Sequence, residues 1–304
     1  MTDQYAVIGC PISHRKSPVI HARFAAQVGA QLSYIAIEIR PDALAARLAE
    51  LHAQNFLGLN VTLPHKTAVA AICNNVSERA QVAGAVNTLV RTAGGWDGDN
   101  TDGEGLIRDL TVNLGIGVAG KRVLVLGAGG AARGILKPLL DQQPAELTLS
   151  NRNPWKPEEL AIAFRPHGVI RPATHLALKG DHYDLVINAT SAGHQGKLPK
   201  LPPQLLAPGA ACYDMSYGAA AEPFCAWARA NGAAKVSDGL GMLVEQAAAS
   251  FERWRGVRPQ AAPVIAELRA AAIAAEPAQD DGKPREAATH RVHGEDCGRP
   301  AAAG

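Results

Sequence analysis

The sequence predicts an α/β fold in two domains, with parallel sheets covered by helices. Three observations predict it. Short β-rich runs alternate with segments whose apolar residues recur at helical spacing, the pattern of strand–helix–strand units. A buried-looking strand runs through a glycine-rich turn straight into a helix at KRVLVLGAGGAARGILKPLL. A Gly- and Asp-rich stretch, WDGDNTDGEGLIRDL, separates two such alternating blocks and reads as a linker turning into a helix, with a domain boundary near residue 104.

The elements follow in order. YAVIGC, LSYIAIEI and FLGLNVT are strands, and SPVIHARFAAQVG and PDALAARLAELHAQN are the helices between them. NVTLPHKTAV then reads as a strand end passing through a proline turn into a helix, with Lys66 on its first turn. That place is unfavourable for a cation, because a helix N-terminus favours negative charge. Either Lys66 points into water or something electron-rich belongs beside it. Beyond the boundary, KRVLVLG, AELTLSN, DLVINAT and ACYDMSY are the strands of the second block. From residue 276 the chain is polar, rich in Pro, Gly and charge, and nearly free of large apolar groups, so residues 276–304 are expected to be a disordered tail. Its His290, His293 and Cys297 lack a scaffold, and no metal site is expected.

Composition narrows the function classes. With 304 residues, 47% hydrophobic and 19% charged, the chain suits a soluble protein of about two domains. A net charge of +2 gives no general attraction to nucleic acid or membrane. The N-terminus enters a strand-like run without a basic segment and a following apolar one, so no signal peptide is expected, and no apolar stretch is long enough to span a bilayer. Five scattered cysteines read as reduced thiols of a cytoplasmic protein, with Cys10 and Cys212 in the core.

The glycine turn carries the first chemistry. Gly127, Gly129 and Ala132 complete G-x-G-x-x-A as a helix opens, and such glycines let backbone approach a pyrophosphate that faces the helix amides. The pattern alone is weak; a strand before it and a helix after it make a dinucleotide the better reading. The next strand selects which one. A fold that takes NAD usually ends it in Asp or Glu for the ribose 2′-hydroxyl. Here ELTLSNRNPWK ends in Asn151, Arg152 and Asn153, with Lys156 following. A guanidinium can pair bidentately with a 2′-phosphate, so NADP is expected. Hydride transfer to a ketone also needs a proton donor beside the oxygen. The candidates outside the nucleotide block are Lys66, His65, His14 and the aspartates of DGDNTDG, among which Asp102 is placed to reach a lysine. Spacing alone does not choose.

Nine motifs in order, GCPISHRKSPVIH, NVTLPHK, GAVNTL, DGDNTDG, GAGGAAR, NRN, NATSAG, YDMSY and DGLGMLVEQAA, resemble the shikimate dehydrogenase family, NADP-dependent enzymes of aromatic amino-acid biosynthesis. The resemblance runs from Tyr5 to about Ala274. It implies that Lys66 and Asp102 are the catalytic pair at the C3 oxygen of the substrate, handling its proton as hydride passes between NADP and the ring. It further implies that Thr62, Asn87, Tyr217 and Gln246 bind the hydroxyls or carboxylate of shikimate or 3-dehydroshikimate. On the cofactor side it implies Gly127, Ala128, Gly129, Gly130 and Ala131, then Asn151, Arg152 and Lys156, then Met215 and Gly239, with Glu78 contacting cofactor from the other domain.

Two positions depart from the family pattern. Where relatives have Ser-x-Ser for the substrate carboxylate, this chain has Arg15-Lys16-Ser17. Ser17 followed by Pro18 reads as an N-cap and first-turn pairing, leaving one hydroxyl and the helix amides for the carboxylate, with Arg15 a further partner. Asn153 stands where Thr is common, and it too can donate to phosphate. The implied architecture is an N-terminal α/β substrate domain of residues 1–104 completed by 240–275, a Rossmann-type domain of 105–239, and a cleft between them; a homodimer is allowed. Two other readings stay open: an NAD-dependent quinate/shikimate dehydrogenase, and a catalytically silent nucleotide-binding regulator.

Overall fold

β1 (Asp3–Gly9) lies second from the edge of a six-stranded sheet, between β2 (Leu32–Glu38) and β3 (Phe56–Val61), both parallel to it. The computed structural model describes residues 2–12 and 16–275. Expectations about His14, Arg15 and the tail from residue 276 fall outside these residues. α1 (Ser17–Gln27) and α2 (Leu44–Ala53) make the crossovers. β5 (Thr88–Thr92) and β6 (Gly95–Asp99) then form an antiparallel hairpin, β5 pairing with β3, and β4 (Asn75–Val76) closes the edge beside β6.

This corrects two expectations. The first sheet is mixed, and WDGD is a strand, not a linker. Its Gly and Asp residues imitate a turn, but Trp96 is buried and donates to the Leu48 carbonyl at 3.1 Å, which anchors the run in the sheet. α3 (Glu78–Ala83) covers this end, and α4 (Asp102–Arg108) follows the hairpin.

The second sheet is entirely parallel: β7 (Arg122–Leu126), β8 (Glu146–Asn151), β9 (Arg171–Thr174), β10 (Tyr183–Asn188), β11 (Leu206–Asp214) and β12 (Lys235–Ser237). Its order, β12-β11-β10-β7-β8-β9, reverses direction between β7 and β10. In open α/β sheets that point is where a crevice forms at the carboxyl ends of the strands. α5 (Gly130–Asp141), α6 (Trp155–Ala163) and α7 (Glu222–Ala230) cover its faces. β7 reads as a continuous apolar run because both its faces are buried.

The chain then returns. α8 (Leu240–Arg255) packs Val244, Ala247 and Phe251 with Ile20 and Phe24 of α1 and with Val264 and Leu268 of α9 (Ala261–Ala275). Trp254 at its far end donates to the Leu89 carbonyl at 2.9 Å, and a Cβ at Gly58 would lie 2.2 Å from the indole nitrogen, so only glycine admits the ring.

Candidate active site

Lys66 stands in a turn between β3 and a 3₁₀ segment at Ala68–Ala71, not on the first turn of an α-helix. The segment after Pro64 is too short and is cut off by Cys73-Asn74-Asn75. The Lys66 carbonyl accepts from Val86 N–H at 2.7 Å, which fixes the turn against the segment that carries Asn87 into β5. From there Lys66 Nζ reaches Asp102 Oδ2 at 2.5 Å, with the two side chains 27% and 20% exposed. Asp102 opens α4, where a carboxylate is favoured by the helix dipole, and its N–H donates to Asn100 Oδ1 at 3.0 Å. The pair is half-sheltered yet open on one side, a geometry suited to moving a proton to or from a bound hydroxyl.

A buried layer holds this pair. Asn87 Nδ2 donates to Asp102 Oδ1 at 2.8 Å and lies within 3.5 Å of Gln246 Oε1, while Asn87 Oδ1 accepts from Thr101 N–H at 2.9 Å. Behind it Thr88, Thr101, Ser250 and Asn60 exchange hydrogen bonds, among them Asn60 Nδ2 to Ser250 Oγ at 2.9 Å. Asn60 Oδ1 accepts from Tyr34 at 2.8 Å and faces His21 Nε2 at 3.2 Å. His21 is fully buried among Tyr34, Trp254 and Phe251, its Nδ1 has no partner, and burial pushes its pKa down to about 3. Sequence reasoning assigns no role to Asn60, Thr88, Thr101 or Ser250. The one signal is a polar Asn in the apolar strand FLGLNV, since a buried amide needs partners.

Lys66, Asp102, Asn87 and Gln246 thus meet in one constellation. Of the other expected substrate residues, Ser17, Thr62 and Tyr217 make no hydrogen bond to these four among the described residues, and Arg15 lies outside the described residues. Ser17 is buried, but it is the first residue of α1, and Lys16 takes the cap position without a side-chain bond. The expected N-cap role is therefore corrected, and the Ser17 hydroxyl is not engaged by its own helix end. Thr62 is half-buried at the end of β3, closely packed on Gly9, where a Cβ would come within 2.5 Å of its methyl. Tyr217 is half-buried against the α1–α8–α9 apolar cluster. Cys10, expected in the core, sits half-exposed at the end of β1 near Glu38; Cys212 is buried.

The dinucleotide side is built differently. Gly127 has φ +100° and its N–H donates to the Ser150 carbonyl at 2.7 Å. A Cβ there would lie 3.1 Å from the Ala189 carbonyl and the Thr190 methyl, so the loops after β7 and β10 abut where the sheet reverses. Ala128 is buried, whereas Gly129, Gly130 and Ala131 are exposed at the start of α5, which has neither a side-chain cap nor an acidic residue in its first turn. Its first amides are open to an anion. Asn151 Oδ1 accepts from Arg152 N–H at 2.7 Å, and Asn153 Oδ1 accepts from Trp155 N–H at 3.1 Å, tying that side chain to the start of α6. Arg152 and Lys156 are exposed, and no carboxylate pairs with either among the described residues.

Met215 and Gly239 adjoin each other: a Cβ on Gly239 would lie 2.4 Å from the Met215 carbonyl oxygen. Asp214 holds this turn, accepting from Asn188 Nδ2 and Ser216 N–H, each at 2.7 Å. Its burial outweighs those bonds and pushes its pKa up to about 6. Asn188 and Asp214 lie inside the motifs NATSAG and YDMSY, where sequence alone gives them no role. Glu78 is exposed at the head of α3 and bonds to none of the dinucleotide-side residues. No group of His, Cys, Asp and Glu able to hold a metal ion occurs among the described residues.

Comparison with known proteins places the chain in a family. Residues 7–89 match the model of the shikimate dehydrogenase substrate binding domain, 111–196 that of shikimate / quinate 5-dehydrogenase, and 239–269 that of the shikimate 5′-dehydrogenase C-terminal domain. The shikimate dehydrogenase (NADP(+)) of Alkalilimnicola ehrlichii is 51% identical over 269 residues, covering 88% of this chain and 99% of the relative. An Ael1 enzyme from Pseudomonas putida superposes with a TM-score of 0.84 at 43% identity, over 88% of this chain and 98% of that one. Shikimate 5-dehydrogenase from Thermus thermophilus, solved in complex with NADP(H) and shikimate, gives 0.77 at 33% identity over 89% and 100%. The chain belongs to the shikimate dehydrogenase family.

Proposed function

We propose that the protein catalyses the reversible, NADP-dependent reduction of 3-dehydroshikimate to shikimate, a step of aromatic amino-acid biosynthesis. The observation that carries this reading is the Lys66–Asp102 pair at 2.5 Å, at the head of α4, in a chain of this family. In the oxidative direction Lys66 takes the proton from the C3 hydroxyl, and in the reductive direction it returns it. Asp102 Oδ2 aims the amine, and Asn87, bonded to the other carboxylate oxygen, keeps Asp102 from turning. Gln246, Thr62, Tyr217 and Ser17 are assigned to the remaining hydroxyls and the carboxylate, with Arg15 a further carboxylate partner.

The residues present fit the dinucleotide. Glycine is required at 127 by φ and by the neighbouring loop, the α5 amides face open space, and Arg152 and Lys156 are free of carboxylates among the described residues. We assign the pyrophosphate to Gly127–Ala131, the 2′-phosphate to Asn151, Arg152, Asn153 and Lys156, and the nicotinamide end to Met215 and Gly239, with Glu78 across the cleft. When bound, the dinucleotide would supply the hydride donor in the reductive direction and the hydride acceptor in the oxidative one. The chain's contribution is to hold both reactants in line and to exclude water between them.

We further propose a substrate domain of residues 1–104 and 240–275 and a cofactor domain of 105–239, supported by the separate sheets and by α8 packing back onto α1, β3 and β5. Residence in the cytoplasm is supported by the free cysteines at 10, 73, 212 and 225. No described helix is long and apolar enough to cross a membrane. A homodimer is compatible with the open sheet edge at β2, and sedimentation velocity separates it from a monomer.

The test is the rate of nicotinamide reduction, followed by absorbance, with shikimate or quinate and NADP or NAD. Shikimate with NADP is expected to be fastest by about tenfold or more, the factor that one charge-assisted bond to the 2′-phosphate supplies. A faster rate with quinate and NAD would move the protein to the quinate-type reading.

A further inference from the structure

Helix α5 begins at the dinucleotide loop and turns two faces to the molecule. Ala132, Ile135, Leu136 and Leu139 are buried in the core of the second sheet. Arg133, Gly134 and Pro138 look toward α3 and α4. Arg133 Nε donates to the Val82 carbonyl at 3.1 Å, at the end of α3, and its guanidinium lies 3.1 Å from where a Cβ on Gly84 would stand. Gly103, the residue after Asp102, lies directly on α5. A Cβ there would be 2.3 Å from Pro138 Cγ and 2.9 Å from the Gly134 carbonyl oxygen. Neither can give way cheaply, since one is a ring carbon within the helix and the other is backbone.

The opposite side of α4 is as close. A Cβ on Gly105 would lie 2.7 Å from Gln246 Cβ and 2.8 Å from the Met242 carbonyl oxygen of α8. The helix headed by Asp102 is therefore held between α5 and α8 at separations that exclude any side chain. Its Leu106, and Leu110 in the turn that follows it, enter the core of the second sheet, while Asp102 joins the constellation of the first. Next to this contact a cavity of about 340 Å³ is lined among others by Arg79, Glu104, Arg108, Lys137 and Asp141. At Gly103, α4 and α5 approach too closely to admit a Cβ, so the spacing of the two parts is sensitive to this residue.

We infer that Gly103 is a positioning residue for hydride transfer, setting the separation between the Lys66–Asp102 pair and the dinucleotide loop, with Arg133 clasping the same junction. This rests on the proposed function. Each ligand binds mainly to one side of the junction, so the separate affinities do not depend on Gly103. Turnover does, because the reacting atoms must approach to about 3–3.5 Å and a misplacement of about 1 Å can cost roughly a hundredfold.

Gly103→Ala is expected to lower kcat about tenfold to a hundredfold, while the dissociation constants of NADP alone and shikimate alone stay within about twofold. Adding Pro138→Ala, which removes the 2.3 Å obstacle, is expected to restore part of the loss. Arg133→Gln, which adds no bulk, is expected to lower kcat with the same split. Unchanged kcat in a folded Gly103→Ala protein, a loss carried by weaker binary binding, or no recovery in the double variant would overturn the inference. Should Gly103→Ala fail to fold, Arg133→Gln decides by the same split: lower kcat with both binary constants held supports the inference, and wild-type kcat overturns it. A crystal structure of Gly103→Ala separates this from the functional reading. Displacement of α4 from α5 is expected whichever substrate the enzyme turns over, and unchanged spacing would contradict the inference. Wild-type inactivity with shikimate would count against the proposed function alone.

Discussion

The two sides of the site solve opposite problems. On the substrate side, Lys66, Asp102, Asn87 and Gln246 are side chains already bonded to one another, backed by a second layer through Thr101, Thr88, Ser250 and Asn60. On the proposed dinucleotide side the surface is main chain: Gly127, open amides at the start of α5, and the turn at Met215 and Gly239. Its charged side chains, Arg152 and Lys156, are exposed and have no carboxylate partner among the described residues. A proton-handling group must be held in place before substrate arrives, because misalignment lowers rate directly. A phosphate-binding surface can wait for its ligand, because the ligand brings the charge that orders it. Damage to the first should therefore appear in turnover, and damage to the second in cofactor affinity.

The largest effect should fall on the pair. Asp102→Asn keeps the shape but removes the charge that aims Lys66, and kcat is expected to fall about a hundredfold or more. Lys66→Ala combined with Asp102→Asn should be little worse than Lys66→Ala alone, since the two act as a unit. Multiplying losses in steady-state kinetics would break the comparison on its substrate side.

Arg152→Ala should raise the KM for NADP by roughly tenfold, at the low end for a charge-assisted bond because the side chain is exposed. The KM for NAD and the kcat with NADP should change little, and the salt dependence of NADP binding should flatten. Equal weakening of both cofactors would show that Arg152 does not read the 2′-phosphate.

The backing layer should be read in stability. Asn60→Ala removes partners from Ser250, Tyr34 and His21, and leaving a buried polar group unsatisfied costs about 1–3 kcal/mol. Urea unfolding should show a loss of that order. An unchanged midpoint would mean that the network contributes nothing to holding the fold.

The last effect concerns pH. His21 has its pKa lowered by burial to about 3, against the usual 6.5. Between those values the unfolded chain binds a proton that the folded protein refuses, so this residue makes stability fall as pH drops from about 6.5 toward 3. Asp214 acts in the opposite sense, because its raised pKa of about 6 lets the folded state hold a proton that the unfolded chain has released. His21→Phe should shallow the acid-side fall in Tm. A steeper fall would reverse the assignment.

Much of this is legible locally. The β7–Gly127–α5 turn, the strand runs and the Arg152-for-carboxylate exchange are each contained in a few consecutive residues, where periodicity and glycine placement carry the information. The β5–β6 hairpin is not legible, because WDGDN has turn-like composition and becomes a strand only through pairing with Thr88–Thr92 and burial of Trp96. The Lys66–Asp102 bond spans 36 residues and the Asn87–Gln246 approach 159, distances closed by tertiary packing alone. Gly103 and Gly105 look like linker residues in the sequence, and only the helices on either side give them a reason.

The central claim is that proton handling resides in Lys66 while cofactor affinity resides elsewhere. The most direct test is a single turnover of Lys66→Ala at saturating NADP and shikimate, with the NADP dissociation constant measured on the same preparation. A fall of about a hundredfold to ten-thousandfold in the hydride-transfer rate is expected, with the dissociation constant unchanged within about twofold. A near-wild-type rate, or a loss explained by weaker NADP binding, would contradict the account.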